Sequence, residues 1–120
     1  MLITRETDYA LRILQNLMDG EKRSVGDISQ KEFIPQQFAY KIAKKLAKAG
    51  FIQITRGVDG GCRLHKDLAE ISLYDLITVI EGSYSLHPHF GDYADLKVFL
   101  QISPELRRER ILARPAFLHE

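Results

Sequence analysis

The chain has 120 residues, which is enough for one domain or for one domain with an appendage. Its hydrophobic share of 45% is ordinary for a globular chain, and no stretch is apolar enough to span a bilayer. A single cysteine, Cys62, excludes a disulfide framework, and the net charge of +1 hides an uneven distribution. Residues 1–66 carry 12 Lys/Arg against 7 Asp/Glu, a balance of +5, while residues 67–120 carry 5 against 9, a balance of −4. A basic front half and an acidic back half point to a polyanion as partner of the front half. Acidic residues in the opening turns and the lack of a small-residue cleavage site argue against a signal peptide, so the expected compartment is the cytoplasm.

Thr4 can cap a first helix from Arg5 to about Met18, with Tyr9, Ala10, Ile13, Leu14 and Leu17 as its buried stripe. Asp19-Gly20 ends it, and Glu21–Arg23 reads as a polar connector. Ser24 and Asp27 fit a capping box that opens a short helix through about Lys31. Phe33, Ile34 and Pro35 form a tight apolar turn.

The stretch Pro35–Gly50 organises the rest. At 3.6 residues per turn, Phe38, Ile42, Leu46 and Ala49 share one face, with Ala39 and Ala43 beside them. The other face carries Gln36, Gln37, Tyr40, Lys41, Lys44, Lys45 and Lys48, without a carboxylate. Pro35 suits the first turn and Gly50 a C-terminal stop. Amides that can bind base edges in bidentate fashion, close to ammonium groups, are what a major-groove reader requires. A lysine-rich solvated face is the plainer alternative. Two helices joined by a short turn, the second one basic, make a helix-turn-helix.

The period then changes. Residues 51–56 and 61–65 read as two strands around Gly57-Val58-Asp59-Gly60, where Asp59-Gly60 is the strongest hairpin signal of the chain. Arg56, Arg63 and Lys66 place charge around this hairpin, which in this position is a wing. Gly57 and Gly60 permit close backbone approach to a phosphate or a groove wall. Ser72 and Asp75 form a second capping box, opening a helix through about Ile80 that Glu81-Gly82 stops.

Residues 2–82 resemble the Rrf-type winged-helix regulators, the IscR/NsrR/CymR-like family. The resemblance rests on Thr4–Leu11, Val25–Ser29, Ile34-Pro35 with Phe38, Leu46–Ile52, Arg56-Gly57 with Gly60-Gly61, Ile71–Asp75 and Ile80–Gly82. It implies a transcriptional regulator, a repressor rather than an enzyme, that binds double-stranded operator DNA as a homodimer. It implies that helix 36–48 enters the major groove, with Gln36, Gln37, Tyr40 and Lys41 near base edges or adjacent phosphates. Lys44, Thr4 and Arg5 would hold the backbone. The wing at 52–65, through Arg56, Gly57 and Gly60, would reach the minor groove.

Cluster-binding members of that family place three cysteines after the Glu-Gly that matches Glu81-Gly82, then a long dimer helix. Residues 83–120 contain no cysteine, and Pro88, Gly91, Pro104 and Pro115 interrupt any long helix. The resemblance therefore implies no iron–sulfur cluster or other cofactor, and a weakened dimer. Glu81–Pro88, Asp92–Leu100 and Ser103–Arg114 are instead similar to an internal piece of uridine-kinase-like P-loop enzymes, although the phosphate cradle G-x-x-x-x-G-K-[ST] is absent. Leu96–Ile102 reads as a short strand followed by a helix with Ser103 as its cap and Pro104 at its first turn. The expectation is a chimera with its seam at Ile80-Glu81-Gly82, and a phosphotransferase-derived or non-functional hybrid is the alternative function. No catalytic or metal site is expected. Cys62 and His65 point to opposite faces of their strand, and His87, His89 and His119 belong to polar segments. The resulting fold class is α+β, mainly α: a winged helix-turn-helix domain at 1–82 with a short β-α appendage at 83–120.

Overall fold

A computed structural model describes residues 4–81 and 96–101. Helix α1 spans Arg5–Asn16, α2 Val25–Glu32 and α3 Gln36–Lys48. Strands β1 (Ile52–Thr55) and β2 (Gly61–Leu64) follow, then a 3-10 turn at Leu68–Glu70, helix α4 (Leu73–Glu81) and helix α5 (Leu96–Gln101).

The caps form where the sequence places them. The Thr4 hydroxyl accepts from the Thr7 N–H at 3.2 Å, and the Ser24 hydroxyl from the Asp27 N–H at 2.9 Å. At α4 the box is reciprocal: the Asp75 N–H donates to Ser72 Oγ at 2.9 Å, and the Ser72 N–H donates back to Asp75 Oδ2 at 3.1 Å. Pro35 is the residue before α3 rather than its first turn. Helix α3 ends in a Schellman motif: the Gly50 N–H reaches the Ala47 carbonyl and the Phe51 N–H the Leu46 carbonyl, both at 3.0 Å, with Gly50 at φ 85°. The turn between α2 and α3 is carried by Phe33, whose φ of 56° is left-handed, and the Ile34 N–H returns to the Ser29 carbonyl at 2.9 Å.

Helix α3 packs against α1, α2, α4 and β1. Ala39, Ile42, Ala43 and Leu46 are fully buried and meet Ala10, Ile13 and Leu14 of α1, Leu17 just after it, and Leu76, Ile77 and Ile80 of α4 in one cluster. Each buried Leu or Ile contributes about 1.5–3 kcal/mol. The apolar faces read from the sequence need two adjustments. Phe38 lies at the rim, tilted against Tyr9 with ring centroids 6.2 Å apart, and Ala49 is exposed. Phe33 is 89% exposed, because the left-handed turn swings its ring outward while Ile34 plugs the core.

Strands β1 and β2 pair antiparallel, with Gln53 opposite Arg63, Ile54 opposite Cys62 and Thr55 opposite Gly61. The expected strand at 96–102 is corrected: residues 96–101 are helical. Leu96 and Leu100, four residues apart, are both buried, while Lys97 and Gln101 face out, and that is helical spacing. A short apolar run does not declare its period until its burial partner is known. That partner is the 3-10 turn, and the Leu96 N–H also donates to the Ile71 carbonyl at 2.6 Å. Gly82, the three histidines 87, 89 and 119, and the helix expected after Ser103 lie outside the described residues.

Candidate nucleic-acid interface

The outer face of α3 divides into three strips. On one side, Gln36 and Tyr40 lean over the first turn of α2: a methyl placed on Gly26 would lie 3.8 Å from Gln36 Nε2 and 3.9 Å from the Tyr40 hydroxyl. In the middle, Gln37, Lys44 and Lys48 point to solvent. On the other side, Lys41 and Lys45 turn to α1. The Lys41 ammonium lies 3.3 Å from Glu6 Oε2 and that of Lys45 lies 3.5 Å from Glu6 Oε1. Lys45 also donates to the Ile80 carbonyl at 3.0 Å. Burial pushes the Glu6 carboxyl up, but the Lys41 hydrogen bond and the two ammonium charges outweigh it and hold the group below its ordinary value.

Arg5 is exposed at the start of α1. The Thr4 hydroxyl, besides capping, is hydrogen-bonded to Glu81, which also accepts from the buried Thr7 hydroxyl at 2.7 Å. Thr4 thus ties the start of α1 to the end of α4. Sequence reading missed this knot, and it missed the Glu6 pairing too, since in each case the two partners lie 35 or more residues apart.

The wing stands beside α3. Gly57, with φ 107°, begins its turn, and the Gly60 N–H closes it on the Gly57 carbonyl at 2.9 Å. A side chain on Gly60 would come within 2.5 Å of the Thr55 carbonyl oxygen, so the turn itself already demands glycine there. Arg56 and Val58 are exposed at the tip. Arg23, read as connector, instead pairs with β2: its N–H donates to the Cys62 carbonyl at 2.9 Å, and the Cys62 N–H returns to the Arg23 carbonyl at 2.7 Å. The Arg23 guanidinium is held by Asp19 at 2.7 Å, and this hydrogen bond keeps the Asp19 carboxyl well below its usual range. Lys22 adds a hydrogen bond to the Asp59 carbonyl. The wing is therefore strapped to the segment that leads into α2.

The model of the Rrf2 family, described as an iron-dependent transcriptional regulator, matches residues 3–113. The chain belongs to the Rrf2 family. It is a regulator family and not an enzyme family. The chain is 35% identical over 88 residues to Protein aau3 of Rhizobium meliloti (strain 1021), a match that covers 72% of this chain and only 57% of that protein. It is 37% identical over 98 residues to the HTH-type transcriptional regulator NsrR of Geobacillus kaustophilus (strain HTA426), covering 79% of this chain and 67% of that one. The fold is also that of oxidised CymR from Staphylococcus aureus, with a TM-score of 0.71 at 24% identity, covering 86% of this chain and 98% of the other.

The Rrf2 match runs unbroken across Ile80-Glu81-Gly82, so the kinase-like second parent expected from residue 81 onward finds no support. An iron centre of the kind the family description names needs a grouped set of protein donors. Among the described residues no three His, Cys, Asp or Glu side chains are grouped to hold a metal. Cys62, the one cysteine of the chain, is fully buried on β2, and burial pushes its thiol up, away from the thiolate that ligation needs. Its donors do not fit a thiolate-held iron cluster.

Proposed function

We propose that this Rrf2 chain is a cytoplasmic repressor that binds operator DNA as a homodimer, with α3 in the major groove and the wing along the flanking minor groove. Gln36, Gln37 and Tyr40 are assigned to base edges, Lys44 to an adjacent phosphate and Arg5 to the backbone, with Lys41 beside them on its Glu6 partner. Arg56, with Gly57 and Gly60 shaping the turn under it, is assigned to the minor groove. Thr4 serves by fixing the helix start that presents Arg5. Residues 83–120 belong with the winged domain as its appendage, a reading supported by Leu96 and Leu100, which are buried in the same core.

One observation carries this reading. Helix α3 is fully buried along Ala39, Ile42, Ala43 and Leu46, yet its opposite face offers two amides, a phenol and lysines without one carboxylate. Phosphates and base edges are the partners that satisfy such a face.

The test is selection of a preferred duplex from a randomised library, followed by titration against a mixed-sequence duplex with light scattering. Recovery of a preferred site at least about a thousandfold above the mixed duplex, occupied by two chains, supports the reading. Recovery of no preferred sequence refutes it. Gln37→Ala should lower that ratio by about 1–3 kcal/mol at a base pair, leaving the mixed-duplex affinity in place.

A further inference from the structure

We propose that Glu6 is a specificity-determining positioning residue, which holds the ammonium groups of Lys41 and Lys45 back against α1 so that α3 meets DNA chiefly through its amides and phenol. The inference rests on the DNA-binding reading above and deepens it.

Glu6 is a single carboxylate whose two oxygens each face a different lysine, Oε2 toward Lys41 and Oε1 toward Lys45. Those lysines are four residues apart and stand on successive turns of α3. Lys45 is held twice, because it also donates to the Ile80 carbonyl near the end of α4, where the helix dipole favours a cation. Glu6 lies in the first turn of α1, where the same dipole favours an anion. Its Lys partners favour its charged form. Of the four lysines of α3, two are thus committed within the protein, and Lys44 and Lys48 face outward.

The consequence concerns selectivity. An ammonium that swings freely to a phosphate strengthens binding to every sequence equally, because phosphate contacts carry no base information. Restraining two of them lowers affinity for all duplexes and leaves the contribution of the amides untouched. The preferred site gains relative to the rest.

The experiment compares the full chain with Glu6→Gln, measuring affinity for a mixed-sequence duplex across salt concentrations. Release of one or two lysines should steepen the slope of log affinity against log salt by about 0.9–1.8, and should tighten mixed-duplex binding about 3- to 10-fold at low salt. The ratio between the selected duplex and the mixed duplex should fall. Glu6→Asp keeps the charge but shortens its reach, and should give an intermediate slope. Removing any negative charge near DNA raises affinity somewhat, so the decisive background is Lys41→Gln/Lys45→Gln, where Glu6→Gln should no longer change the slope. An unchanged slope in the wild-type background, or the same steepening in the double-glutamine background, overturns the proposal while leaving DNA binding intact. A wild-type chain that binds no duplex overturns the DNA reading itself.

Discussion

Helix α3 and the wing are built to opposite specifications. The helix is cemented on three sides, with four side chains at zero exposure and a Schellman stop behind it. The wing has inward anchors at Ile52 and Cys62, a tip at Val58 open to solvent, and a strap of two backbone hydrogen bonds to Arg23. A reader of base edges must hold its groups to fractions of an ångström, whereas a minor-groove arm has to follow a groove whose width varies with sequence. On the proposed docking, rigidity is placed where register is set, and the looser anchoring where shape is followed.

The contrast can be broken by loosening each part in turn. Leu46→Ala should cost about 2–5 kcal/mol in denaturant unfolding, because it opens a cavity under the helix, and DNA binding should fail in step with the fold. Gly61→Ala acts on the strap alone. Its methyl would lie 2.9 Å from the Arg23 carbonyl oxygen, so the pairing must part, at a cost of about 1–3 kcal/mol. Duplex affinity should drop while the helical circular dichroism is kept; loss of the helices with it would show that wing and core are one unit. Lys44→Ala should leave stability unchanged, weaken all duplexes alike and reduce the salt slope by about 0.9. Lys41→Ala should do less, since Glu6 already offsets that charge. Asp19→Asn is the mildest. The folded Asp19 carboxyl lies below its unfolded value, so its contribution is complete above the ordinary aspartate range and fades as pH falls toward the folded value. The variant should therefore be slightly less stable than the wild type at neutral pH and converge with it as pH falls below about 4, which flattens the acid limb of the stability curve.

Local chemistry made most of this fold readable. Ser72 with Asp75, Ser24, Thr4 and Gly50 each announced a helix end through hydrogen bonds spanning only a few residues. The amide-and-lysine face of α3 was visible for the same reason, since a helix sorts its own faces. Contacts at long separation were hidden. Glu6 gives no sign in the sequence that it will meet Lys41, nor Thr4 that it will meet Glu81, nor Arg23 that it will lie beside Cys62. Residues 96–101 were misassigned because six residues hold fewer than two helical turns, too few to separate a strand from a helix. The outward ring of Phe33 was not legible, because its left-handed backbone, which decides where the ring goes, leaves no mark on the residue type.

The sulfur of Cys62 sits on the strand that the strap holds, fully enclosed, and no other thiol exists in these 120 residues. A maleimide or disulfide reagent can reach it only in the moments when the hairpin lifts away. The rate of alkylation is thus a built-in clock for wing opening, readable by mass spectrometry on the unaltered chain, and a duplex clasped by the wing should slow it.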